Sequence, residues 1–306
     1  MLLVVSGSAS LPGGVAEELL GDPTGPGPVG SAGGSVGLVS LAEAAGSVDR
    51  LVAVINTGLD HPHHRSALVL CDPGCAAQTR RAVAFARHAL RIRQVATLVV
   101  NASPLRIAVV AAVVERLVDS GHLSVSDVPV AVNHLVRRTS AVMMARSVSR
   151  LRRPRPSLRA RLTVLPRGSW FVAQDTDSRR AVRTMSDRSP QSALRLSLPV
   201  RGGDSVVAVA RRPGDDVSPL LDDLDPARVV EVGTHHSWWR RWASPHVVEL
   251  VVAPADLGLE AAAIRQAVSA SWLCSWCGER IQSLSSCAGC GAWFRSATAA
   301  LPEPVG

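Results

Sequence analysis

Lysine and tyrosine are missing altogether from this 306-residue chain, and Asn, Phe and Ile occur only three, three and five times. Without lysine there can be no Gly-x-x-x-x-Gly-Lys-Ser/Thr loop, which excludes the phosphate-binding P-loop. Gly25-Pro26-Gly27-Pro28-Val29-Gly30 matches Gly-x-Gly-x-x-Gly in spacing, but it sits inside a Gly/Pro-rich loop with two prolines and not at the turn from a strand into a helix that a dinucleotide site needs. His-Glu-x-x-His does not occur, which removes the zincin helix. The Gly-x-Ser-x-Gly match Gly33-Gly34-Ser35-Val36-Gly37 ends a Gly/Pro-rich stretch and leads into the apolar run 36–41, which is not the strand–turn–helix order of a hydrolase nucleophile elbow. The sequence therefore leaves any catalytic residue unassigned. Long apolar runs are also missing. The most apolar helical stretch, 107–114, is eight residues long between Arg106 and Glu115, far short of a bilayer span. Residues 1–6 lack the basic start of a secretory signal, and their apolar run is too short for one. The expectation is a cytoplasmic protein with no membrane span.

What is abundant is arginine. All 33 basic residues are Arg, giving a formal charge of +8 and a pI near 10.6. Residues with AT-rich codons are depleted together, so GC-rich coding accounts for part of that content. Position is more telling than total. Residues 1–174 carry 19 Arg against 10 acids, whereas residues 175–306 carry 14 against 15. Between Asp127 and Asp175 there are ten Arg and no acid. The segment holding Arg137, Arg138, Arg146, Arg150, Arg152, Arg153 and Arg155 is thus a candidate nucleic-acid or anion-binding surface. A solvated arginine-rich surface is the plainer alternative.

Periodicity predicts an α/β protein. Apolar runs at 2–5, 36–41, 51–55, 67–70 and 95–100 read as strands, and 75–93 has helical spacing. Ser103 is a good N-cap with Pro104 in the first helical position, and the helix to about Ser120 is apolar all round, hence buried. A further helix is expected from about 128 to 151. This pattern predicts a mostly parallel sheet flanked by helices in residues 1–151. An Arg/Pro linker follows at 152–161. Residues 162–270 read as a more β-rich α/β or α+β unit. Its strands are expected at 162–165, 170–173, 194–200, 206–210, 229–232 and 247–252, with helices at 178–186 and 255–270.

In open parallel sheets ligands collect at the carboxyl ends of the strands. Asn56, Asp60, Asp72 and Asn101 fall there and form a candidate crevice, although turn chemistry alone selects such residues. His61 and His63 lie near Cys71 and Cys75, ligand types that suit a second metal, against a polar loop with exposed histidines. Trp238, Trp239 and Trp242 interleave with Arg240 and Arg241. That suits base stacking and equally a core anchor.

Cys274-Ser275-Trp276-Cys277-Gly278 and Cys287-Ala288-Gly289-Cys290-Gly291 are two Cys-x-x-Cys-Gly knuckles. Four thiolates in two such pairs suit tetrahedral Zn²⁺. Residues 272–295 resemble a zinc ribbon, which implies one structural zinc ion held by Cys274, Cys277, Cys287 and Cys290. The ribbon is expected to occupy 271–295, ahead of a tail at 296–306. The functional expectation is a cytoplasmic zinc-ribbon protein that binds nucleic acid through its Arg-rich first half. One alternative is an enzyme acting on an anionic or phosphorylated small molecule at the strand ends. Another is a protein–protein adaptor docking through the ribbon.

Overall fold

The computed structural model describes residues 2–6, 37–41, 48–59, 66–91, 95–145, 170–174, 183–185, 205–211, 221, 226–232, 247–273 and 280–281. Strands β1 (Leu2–Ser6), β2 (Gly37–Leu41), β3 (Ala67–Cys71) and β4 (Val95–Val99) form a four-stranded parallel sheet in the order β2-β1-β3-β4. Helix α1 (Val48–Leu59) precedes β3, and α2 (Ala76–Ala89) links β3 to β4. Both lie on one face of this sheet. Leu51, Ile55, Ala82, Val83 and Ala86 pack there against Val4, Ala67, Val69 and Val95. The expected strand at 51–55 is thus a helix. Val48, Leu51, Val52, Ile55 and Leu59 recur at three- and four-residue intervals, which puts one apolar stripe on a helix.

The opposite face of the sheet carries Leu68 and Leu70, which pack in the same core as helix α3 (Pro104–Asp119). As the sequence predicts, Ser103 is the N-cap, and its hydroxyl accepts from the Arg106 N–H at 3.2 Å. Residues 104–114 of α3 are all buried. The reason is that α3 packs between two sheets, against β1, β2 and β3 on one side and strand β10 (Val247–Pro254) of a second sheet on the other. A helix with apolar partners on both sides has no polar face to offer.

The chain then departs from expectation. Helix α4 (Val128–Arg138) ends thirteen residues before the predicted boundary at 151, and Ser140–Ala145 forms strand β5. Alanine, methionine and arginine are good helix formers, but pairing with two neighbouring strands overrides that weak preference. Strand β5 joins a second, six-stranded sheet with β6 (Trp170–Gln174), β7 (Arg183–Met185), β8 (Ser205–Ala210), β9 (Arg228–Glu231) and β10 (Val247–Pro254). Its order is β7-β6-β5-β10-β8-β9. Only β8 and β9 are parallel; every other pair is antiparallel. The expected helix at 178–186 is replaced, over 183–185, by edge strand β7. The fold class is therefore corrected. This is an α/β fold with one parallel and one mixed sheet sharing a helical layer, rather than a parallel-sheet half followed by a β-rich half and a zinc ribbon.

The two sheets share one core. Alternate residues of the second sheet, among them Ala141, Met143, Ala208, Val247 and Val251, pack with α3, α4 and helix α5 (Leu257–Ser269). A short pair, β11 (Trp272–Leu273) and β12 (Arg280–Ile281), follows α5. Two buried charges tie the helical layer together. The Arg106 guanidinium, 7% exposed, donates from Nε to Thr139 Oγ1 at 2.9 Å. Its Nη2 donates to the carbonyls of Val136 and Thr139. These acceptors lie at the last turn of α4, where carbonyls lack partners within the helix and a cation is favoured. Glu260 on α5, 4% exposed, accepts from Arg138 Nε and Nη2, both at 3.1 Å, and bonds His134 Nε2 at 3.0 Å. Replacing Glu260 by alanine is expected to cost about 2 kcal/mol, the exposure of Arg138 keeping the loss modest. A thermal melt of the variant checks this, and an unchanged midpoint would remove Glu260 as a tie between α4 and α5.

Candidate ligand site at the strand ends

Parallel strands β3 and β4 end side by side. The Val100 N–H donates to the Cys71 carbonyl at 2.8 Å, which holds the two carboxyl ends in register. Asp72 follows β3 and is 6% exposed. Its Oδ1 accepts from the Gly74 N–H at 2.7 Å, and its carbonyl accepts from the Cys75 N–H at 3.1 Å. This aspartate turn delivers the chain into α2, with Cys75 as the N-cap. Asn101 follows β4 and is exposed, two residues before the N-cap of α3. The N-termini of α2 and α3 thus sit at the carboxyl ends of neighbouring strands. The two helix dipoles favour an anionic group there, while the Asp72 carboxylate at the same edge opposes one.

Of the four crevice residues expected from sequence, the structure brings two to this edge, Asp72 and Asn101. Asn56 is exposed on α1, because the segment before it is helix and not strand. Asp60 lies outside the described residues, as do His61, His63 and His64.

Cys71 and Cys75 are both free thiols, the first buried and the second partly exposed. The Cys71 thiol donates a hydrogen bond to the Cys75 sulfur, which, with burial, pushes Cys71 well above the ordinary thiol range. The same hydrogen bond lowers Cys75 below that range, against desolvation and the nearby Asp72 carboxylate. The Thr79 hydroxyl, one turn into α2, lies within hydrogen-bonding reach of both sulfurs. Cys75 Sγ also approaches the Asp72 carbonyl at 3.4 Å and Asp72 Oδ2 at 3.6 Å.

Metal binding is corrected on this evidence. Among the described residues no three His, Cys, Asp or Glu side chains group so as to hold a metal ion, so a second metal at Cys71 and Cys75 has no support. Cys274, Cys277, Cys287 and Cys290 lie outside the described residues. Zinc ligation gave the whole chain its expected identity, and neither the described side chains nor the fold supplies it.

Of the arginine surface expected from sequence, two residues are described. Arg137 and Arg138 end α4, and Arg138 is engaged by Glu260. Arg146, Arg150, Arg152, Arg153 and Arg155 fall outside the described residues. Sequence reasoning missed three buried charges, Arg106, Glu249 and Glu260. Two of them carried a signal. Arg106 opens an otherwise apolar helix, and Glu249 interrupts the run Val247-Val248-Glu249-Leu250-Val251-Val252, where a lone charge implies an internal partner.

No family model matches the chain, and no curated protein aligns with it. Solved structures do resemble it in fold. A DegV-family protein from Thermus thermophilus, described as binding fatty acid, superposes with a TM-score of 0.59 at 14% identity, covering 83% of this chain and 99% of that one. A DegV lipid-binding protein from Thermotoga maritima gives a TM-score of 0.58 at 13% identity, with 83% and 99% covered. A DegV-family protein from Corynebacterium glutamicum gives 0.56 at 14% identity, with 83% and 97% covered. The fold is therefore that of the DegV-family structures. It replaces the zinc ribbon as the feature that characterises the chain. The nucleic-acid reading is corrected with it, since two of these structures are described as binding fatty acid or lipid. No described helix is long and apolar enough to cross a membrane.

Proposed function

We propose that this chain is a small-molecule-binding protein whose ligand is a fatty acid. The observation that carries the proposal is the likeness in fold to structures described as fatty-acid- or lipid-binding, matched over nearly their full length. Two features of the chain support it. The packed core between the sheets is continuous and apolar from Leu68 and Leu70 across α3 to Val247 and Val251, so an acyl tail that parts this packing would meet apolar side chains. The strand-end edge with Asn101 and the N-termini of α2 and α3 suits an anionic head. The reading keeps the anionic small molecule at the strand ends and assigns no reaction to it. A cytoplasmic location belongs to the same proposal, supported by the free thiols Cys71 and Cys75.

The test uses delipidated full-length protein and saturated fatty acids of sixteen and eighteen carbons. At a hundredfold excess over Kd, a ligand selective for the native state adds about 2.7 kcal/mol of stability. In a protein of this size that should raise Tm by about 5 °C or more. The corresponding methyl ester should give a smaller shift, since it lacks the anionic head. Absence of any shift with the acids, together with no fatty acid in solvent extracts of the purified protein, would sink the proposal.

A further inference from the structure

We infer that Cys71 and Cys75 form a redox-active dithiol site, with Cys75 as the attacking thiol and Cys71 as the resolving thiol. The geometry sets the two roles apart. Cys75 is partly exposed at the N-cap of α2, where the helix dipole favours thiolate. Its Sγ accepts no helix N–H and donates to the Asp72 carbonyl and Oδ2, contacts it gives up on attack. Cys71 is fully buried at the end of β3 and is hydrogen-bonded to Cys75. The Thr79 hydroxyl supplies a further donor to the pair. Between the cysteines lie Asp72, Pro73 and Gly74, of which Pro73 and Gly74 are exposed. The turn is therefore on the surface, where it can adjust as the sulfurs close to the roughly 2.05 Å of a disulfide.

The co-reactant is a low-molecular-weight disulfide. The Cys75 thiolate attacks one of its sulfurs, forming a mixed disulfide and expelling one thiolate. The Cys71 thiol then gives up its proton to the Asp72 carboxylate, which lies within electrostatic range of it and passes the proton on to the expelled thiolate. Its sulfur attacks that of Cys75 and expels the second thiolate. In balance, the protein dithiol is oxidised by two electrons and one external disulfide is reduced to two thiols. This inference does not depend on the fatty-acid reading, since it concerns the thiols alone.

Trypsin places both residues in one peptide, 66–80, which contains no other cysteine. Reduced full-length protein is incubated with oxidised glutathione, quenched in acid, alkylated and digested. In the unaltered protein the 66–80 peptide should be lighter than the reduced peptide by two hydrogens. Cys71→Ser should instead stall as a glutathione adduct on Cys75. Cys75→Ser should leave Cys71 reacting about tenfold more slowly, or more slowly still, because a buried thiol yields little thiolate. Should Cys71→Ser fail to fold, Cys71→Ala serves the same purpose, since buried cysteine behaves as a small apolar residue. Two alkylated thiols in the unaltered peptide would overturn the inference. So would a persistent adduct on Cys75, a bridge from either residue to 274, 277, 287 or 290, or equal reactivity in Cys75→Ser.

Discussion

Replacing Arg106 by alanine should lower stability by about 3 kcal/mol, because two buried carbonyls lose their donor at once and a long side chain leaves a void. Arg106 is the bolt between the first turn of α3 and the last turn of α4. Its guanidinium reaches Thr139 Oγ1, the Thr139 carbonyl and the Val136 carbonyl from a single planar group. Lysine at this position has one ammonium and cannot span three acceptors arranged for a fork, so Arg106→Lys should recover only part of the loss. Arg106→Met keeps most of the packing and removes the donors, which separates the two contributions. Urea titrations of the three variants give the comparison. A loss below about 1 kcal/mol in Arg106→Ala would mean that the α4 terminus is held by other contacts.

A second, larger effect is expected inside α3. Val113 is fully buried on a helix that packs against the parallel sheet on one side and β10 on the other. An aspartate there has no partner of opposite charge and no route to water. The cost should exceed about 5 kcal/mol, comparable to the whole stability of an ordinary domain. Val113→Asp should therefore lose its cooperative melt and its native circular dichroism. The control is Ala77→Asp, on the exposed side of the first turn of α2. A carboxylate near a helix N-terminus is neutral or mildly stabilising there. A folded Val113→Asp protein would contradict the placement of α3 between the sheets.

Much of the local structure was legible because it is written in short-range chemistry. The Ser103-Pro104 start of α3, its apolar circumference and strands β1, β3, β4, β8 and β10 all follow from capping and periodicity. The segment before Asn56 was misjudged because the run 51–55 is short. Only the wider spacing from Val48 to Leu59 discloses a helix. Strand β5 was hidden for a different reason. Residues 140–145 prefer helix as a free segment, and the partners that make them a strand lie at 170–174 and 247–254. The candidate site was half legible. Asp72 and Asn101 stand at neighbouring strand ends as strand–helix alternation predicts, whereas the pairing of Cys71 with Cys75 required the turn that Asp72 makes.

Charge and cysteine spacing were the strongest signals in the chain, and they led toward nucleic acid and zinc. Composition reports what a surface carries and spacing reports what a loop permits, but neither reports what the core encloses. By itself the sequence determined the absence of a P-loop, the buried character of α3 and the alternation of strands with helices. These are properties of residue type and of contacts a few positions apart. Only the tertiary structure decided that two sheets share one helical layer, that β5 is a strand between β6 and β10, and that the fold is the DegV one. Those outcomes depend on pairings from about thirty to more than a hundred residues apart, whose energies appear only when the distant partner is in place.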